Sequence, residues 1–139
     1  MLNSPSYFAG GDITPSRFVG ISADFRVTQT VLNGKIMGIS HEGTRRIPSP
    51  TASVDDVLAA KVGESVTVYG QGHTGIFLEL GATVTAGAWL KSDALGRGIV
   101  CTNTGATPLS AENAGAVAMQ GGIVGDKIRI QVLLQPARV

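Results

Sequence analysis

The chain has 139 residues, 19 of them glycine, with 15% charged side chains and a formal net charge of +1. That length suits one domain able to bury roughly two thirds of its unfolded surface, and the near-balanced charge excludes the broad cationic footprint of a nucleic-acid binder. A single cysteine, Cys101, excludes an internal disulfide and a zinc cage built from cysteines.

Residues 1–16 are rich in Ser, Pro and Gly, with Tyr7 and Phe8 as the only large aromatic side chains. That composition cannot fold alone and reads as an extended N-terminal arm ahead of a single β-rich domain spanning 17–139. Its two aromatics either pack back on the domain's own core or dock on a neighbouring subunit or larger partner. Arg17 to Ser22 and Phe25 to Leu32 follow as strands, the second with Phe25, Val27, Gln29 and Val31 on its apolar face. Asn33-Gly34 is a strong two-residue hairpin signal, because a type I′ turn needs positive φ at both central positions. It predicts a hairpin between Phe25–Leu32 and a return strand, Lys35 to Ser40.

Residues 41–53 read as a loop with two prolines and a basic pair, Arg45-Arg46. This pair is either solvated surface or a dock for an acidic partner. Val54 to Val62 is the only stretch with helical character: Ser53 is a plausible N-cap, and Asp55 and Asp56 sit where the helix dipole favours them. Ser65 to Tyr69 is a strand leading into Gly70-Gln71-Gly72-His73-Thr74-Gly75. This matches the G-x-G-x-x-G spacing of a dinucleotide-binding turn, but that turn works by opening a helix on a pyrophosphate. Here strand-like sequence follows, so the glycines are read as serving a turn.

The stretch from Gly75 to Cys101 is written as short β runs punctuated by Gly and Asp, and predicts two small hairpins. Asp93 and Gly96 flank a tight connection in it. Residues 102–114 form a polar loop, Gly115 to Gly121 a strand of small residues, and Gly122 to Asp126 a turn. Lys127 to Leu134 shows the cleanest alternation, placing Ile128, Ile130, Val132 and Leu134 in the core. Mean hydropathy is +0.22, yet no run approaches the ~20 apolar residues of a membrane-spanning helix. The apolar surface is therefore expected to meet another protein, as in an oligomer. Residues 1–11 lack the basic and apolar regions of a signal peptide, so synthesis in a cytoplasm is expected.

The residues of chemistry do not converge. His41 and His73 fall in turns with no second ligand at metal spacing, and His41-Glu42 is not a zincin motif because position 45 is arginine. Cys101 sits among small residues at a strand end, where a thiol is more often inert than nucleophilic. Asp55 and Asp56 are adjacent, so on a helix they would point about 100° apart rather than across a cleft. The chain is read as having no active site, cofactor or metal.

Three segments then acquire meaning together: Gly63 to Gly72, Val84 to Gly98 (VTAGAWLKSDALGRG) and Gly125 to Leu134, with Gly115 to Gly121 between the last two and Ile13 to Val19 upstream. In that order they resemble bacteriophage head decoration (capsid cement) proteins, over roughly residues 13–135. The resemblance implies an all-β fold, a small β-barrel or β-tulip-like domain with an extended arm and at most one short helix. It also implies a homotrimer on the outer surface of the virion, made in the bacterial host cytoplasm, that bridges major capsid subunits and stabilises the shell against internal DNA pressure. No nucleic acid or membrane partner follows from it. Tyr7, Phe8, Arg17, Arg45 and Arg46 are the candidate capsid or inter-subunit contacts. A fibre-associated or glycan-binding β module, which would expose Trp89 for sugar stacking, and a small trimeric β enzyme are the alternatives.

Overall fold

A computed structural model describes residues 6–32, 34–41, 58–101 and 113–135. Among these residues the short β-compatible runs become ten strands: β1 (Ser6–Ala9), β2 (Phe18–Ala23), β3 (Arg26–Gln29), β4 (Gly38–Ser40), β5 (Ser65–Tyr69), β6 (Thr74–Glu79), β7 (Trp89–Ser92), β8 (Gly98–Val100), β9 (Ala114–Ala118) and β10 (Lys127–Gln135). Among the described residues there is no helix, and the fold is all-β. The first five strands close into a barrel in the order β1-β3-β2-β4-β5, and the last five form a second sheet, β6-β10-β9-β7-β8.

The barrel is filled by the period-two faces of its strands. Val66 and Val68 of β5, Val19 of β2, Val27 of β3 and Ala9 of β1 are buried together with Ile13, Ala59 and Ala60. The second core lies between barrel and sheet. Phe18, Ile36 and Ile39 from the barrel meet Leu78, Leu80, Leu90, Ile128, Ile130 and Val132 from the sheet. Burying each of these large side chains contributes roughly 1.5–3 kcal/mol. The small residues of β9 have a packing reason. A Cβ at Gly115 would come within 2.8 Å of both Phe18 and Ile36 side chains, so only glycine lets the barrel approach this strand. The alternation read in β10 holds, with Ile128, Ile130 and Val132 at most 1% exposed. This strand is central, paired with β6 on one side and β9 on the other.

Several sequence expectations are corrected. Within the segment read as an extended N-terminal arm, β1 pairs in parallel with β3 and antiparallel with β5, and Ala9 and Ile13 are core residues, so from residue 6 on it follows the alternative in which the arm packs back on the domain. A short polar segment can be held this way because its backbone supplies ladder hydrogen bonds that its composition does not advertise. The Asn33-Gly34 hairpin does not form. β3 instead pairs with β2 through the Asp24-Phe25 turn, and β4 pairs with β2 and β5. Gly34 does not take a positive φ, and Asn33 lies outside the described residues. The apolar face assigned to 25–32 holds only at Val27. Phe25 is 72% and Val31 65% exposed, while Thr30 is buried.

Of the expected helix, 54–57 lie outside the described residues. The remainder is not helical, and Ala60 bridges to Ile13 instead. Between Gly75 and Cys101 one hairpin forms rather than two: β7 and β8 pair directly, whereas β6 pairs with β10. The Gly70–Gly75 motif is the crossover from barrel to sheet. Gly72 and Gly75 take φ values of 94° and 72°, Gly72 N–H donates to Val132 O at 2.8 Å, and strand β6 follows where a dinucleotide site would need a helix.

Candidate interaction surface

The β7–β8 turn is built by one carboxylate. Asp93 Oδ1 accepts from Leu95 N–H at 2.8 Å and Arg97 N–H at 2.9 Å, while Oδ2 accepts from Arg97 Nε at 2.9 Å. Gly96 closes the turn at φ 81°, and its carbonyl accepts from Phe18 N–H at 2.7 Å. The turn thereby docks on the barrel. Arg17 completes the joint: Nη1 donates to Leu95 O at 3.0 Å and Nη2 to Glu79 Oε2 at 3.1 Å. Its side chain is 13% exposed and that of Glu79 20%. Arg17, a candidate contact from the sequence, is thus held inside the molecule as a tie between barrel and sheet.

Tyr7 and Phe8 occupy successive positions of β1, which point to opposite faces. Tyr7 packs against the barrel core, whereas Phe8 is 50% exposed. Arg45 and Arg46 lie outside the described residues. Phe8 is registered with Arg26 at the start of β3, and Arg17 bonds beside Gln29 at its end, so the structure does not bring these two candidates together.

A neighbour that the sequence reading missed stands beside Phe8. Its N–H donates to Phe25 O at 2.8 Å, and Phe25, at the tip of the β2–β3 hairpin, adopts φ 54°. Ile21, 58% exposed, lies on the same hairpin. It lines an open groove of about 450 Å³ with Lys35, Ile36, Met37 and Leu134. The signal available in the sequence was the short Ala23-Asp24 break between two strands, which places Phe25 at a turn rather than on a core face. Met119, Ile123 and Val124 are also exposed, on the β9–β10 connection.

The histidines serve local structure. His41 Nδ1 accepts from Thr67 N–H at 3.4 Å, and the His73 ring lies 5.4 Å from that of Tyr69. Among the described residues no group of three His, Cys, Asp or Glu could hold a metal ion. Cys101 is 1% exposed.

No family model matches the chain, and no curated protein matches it. Among solved structures it is similar to the crystal structure of the head fibre gp8.5 N base of bacteriophage phi29. The alignment covers 100% of this chain and 98% of that one, with a TM-score of 0.59 and 12% identity. The two share a fold. Both the barrel and the second sheet fall within the aligned length, so the likeness belongs to the whole arrangement rather than to one sheet.

Proposed function

We propose that this chain is a non-catalytic structural protein of a bacteriophage virion, bound as a homotrimer to the outer face of the head, where it cements neighbouring major capsid subunits. The observation that carries the reading is the end-to-end likeness to a phage head fibre base. The resemblance of the sequence to head decoration proteins supports the same reading. A double-sheet body with large apolar side chains exposed, Phe25 and Ile21 among them, suits a protein that binds rather than reacts. Trp89 is only partly exposed, which disfavours the sugar-stacking alternative.

The fold likeness also favours a second reading, in which the chain is the base of a head fibre and carries another component outward. One experiment separates the two. Heads made without this protein are incubated with it, pelleted and heated. A cement role predicts saturable binding and DNA release at a higher temperature once the protein is bound. A fibre base predicts binding with no change in release temperature and restored capture of a fibre component. Failure to pellet with heads would refute both.

A further inference from the structure

The ten strands repeat one pattern twice. β1 to β5 close in the order β1-β3-β2-β4-β5, with β5 returning to β1. In the second sheet a parallel bridge between Leu80, the residue after β6, and Gly98 brings β8 back to β6, so its circular order is β6-β8-β7-β9-β10. Strand by strand, β6 to β10 stand where β1 to β5 stand. The bridge matches the parallel β1–β3 pairing in direction as well as in place.

The hydrogen bonds repeat residue by residue. Ala9 N–H donates to Glu64 O at 2.8 Å, and Ala9 O accepts from Gly63 N–H at 2.7 Å. Leu80 does the same with Asp126 O at 2.8 Å and Gly125 N–H at 2.9 Å. The bridge Ile13–Ala60 recurs as Val84–Gly122. Glu64 Oε1 accepts from Lys61 N–H at 2.9 Å, and Asp126 Oδ2 from Ile123 N–H at 3.0 Å. Equivalent surface side chains mostly differ, as Asp12 against Thr83 and Lys61 against Ile123 show.

One exposed apolar residue nevertheless recurs. Val62 and Val124 hold the second position of the equivalent turns 61–64 and 123–126, and are 62% and 57% exposed. Gly63 and Gly125 follow at φ 86° and 90°, and a Cβ at either would meet nothing within 4 Å. The backbone does not call for valine there. Residues 85–88 make the same kind of turn, with Gly87 at φ 86° and exposed Ala86 in the second position. One core joins the two halves, so the spacing of the two valines is fixed. A rigid body that carries one apolar tip twice is complementary to one socket presented twice, as neighbouring copies of a single subunit present it. Each tip alone is a small anchor, but linked contacts multiply their affinities.

We infer that the Val62-Gly63 and Val124-Gly125 turns are twin docking tips, each seated in an apolar socket on one of two neighbouring copies of the major capsid subunit. This rests on the cement reading above and names its contact.

The test uses the full chain and heads prepared without it. Val62→Ser and Val124→Ser change exposed turn residues, so melting temperatures should stay within about 3 °C of the parent's. Retention on pelleted heads should fall about tenfold in each variant. In the double variant it should fall about a hundredfold, because losses at separate contacts multiply. Ala86→Ser, in a turn without the valine, should stay within about twofold of the parent. If only one valine variant loses retention, or neither does, the tips are not a pair and the inference fails. An equal loss in Ala86→Ser would overturn it as well. So would a change in solution mass, measured by light scattering, with head retention unchanged, because the tips would then join copies of the chain. A parent protein that does not pellet with heads overturns the head-binding reading and this contact with it.

Discussion

Arg17 brings a full charge to a place where water has little access, and its neighbours account for that. Glu79 neutralises it, and the Leu95 carbonyl, shared with Gln29 Nε2, takes another of its donors. Removing the cation by Arg17→Met would leave Glu79 without its counter-charge and the β7–β8 turn less firmly held. With both side chains partly screened, the loss should lie between that of a surface pair and that of a buried one, about 2 kcal/mol. Urea denaturation checks this, and Glu79→Gln in the Arg17→Met background should add little if the two act as a pair. Ser16, the residue before it, gives the opposite case. It is fully buried at φ 58°, and its hydroxyl has no hydrogen-bond partner among the described residues. Glycine accepts that backbone without strain, though at some cost in unfolded-state entropy. Ser16→Gly should therefore stabilise the protein by about 1 kcal/mol, a rise of about 3–5 °C in melting temperature. A fall would mean that the hydroxyl is held by something the geometry of the chain alone does not provide.

Strands differ in how openly they declare themselves. β10 was legible because both its neighbours are in one sheet and one of its faces is buried, which imposes strict alternation on Ile128, Ile130 and Val132. The β7–β8 turn was legible because Asp93 and Gly96 act locally, within five residues of each other. Partner choice was not. Asn33-Gly34 is a good local turn signal, but β3 already has β2 on one edge and β1 on the other, so β4 has no edge of β3 to join. Closing the barrel decides that, and closure depends on residues far apart in sequence. β1 was hidden for the same reason, since Ser-Tyr-Phe-Ala carries no alternation long enough to read. Of the candidate site, Phe8 was visible as an aromatic in polar surroundings. Phe25 was hidden by the assumption that a phenylalanine at a strand end faces the core. The legible strand supplies a direct check on face assignment. Ile130→Asp would place an unpaired carboxylate in the centre of the second sheet, and the variant should fail to accumulate as a folded, soluble protein. A normal circular dichroism spectrum and melting curve for that variant would contradict the core described above.

The two sheets could have been two separately folding halves, but the larger core belongs to both. Phe18, Ile36 and Ile39 of the barrel are buried against Leu78, Leu90, Ala116 and Val132 of the second sheet. Neither half can bury these faces alone. Backbone bonds cross the same joint, from Phe18 N–H to Gly96 O at 2.7 Å and from Glu79 N–H to Ser16 O at 3.0 Å. Such sharing bears on the proposed role: a protein that bridged shell subunits would transmit load only if its parts did not move independently, and close packing across the joint supplies stiffness. Unfolding should consequently be a single event. Fluorescence of Trp89, which lies in the second sheet, and far-ultraviolet circular dichroism, which reports both sheets, should give superimposable urea transitions. Phe18→Ala, a change made in the barrel, should lower both midpoints together at a cost of about 3–5 kcal/mol. If the tryptophan transition held its midpoint while the circular dichroism split into two steps, the sheets would be independent units, and the stiffness argued for a shell-bridging protein would have to come from the capsid.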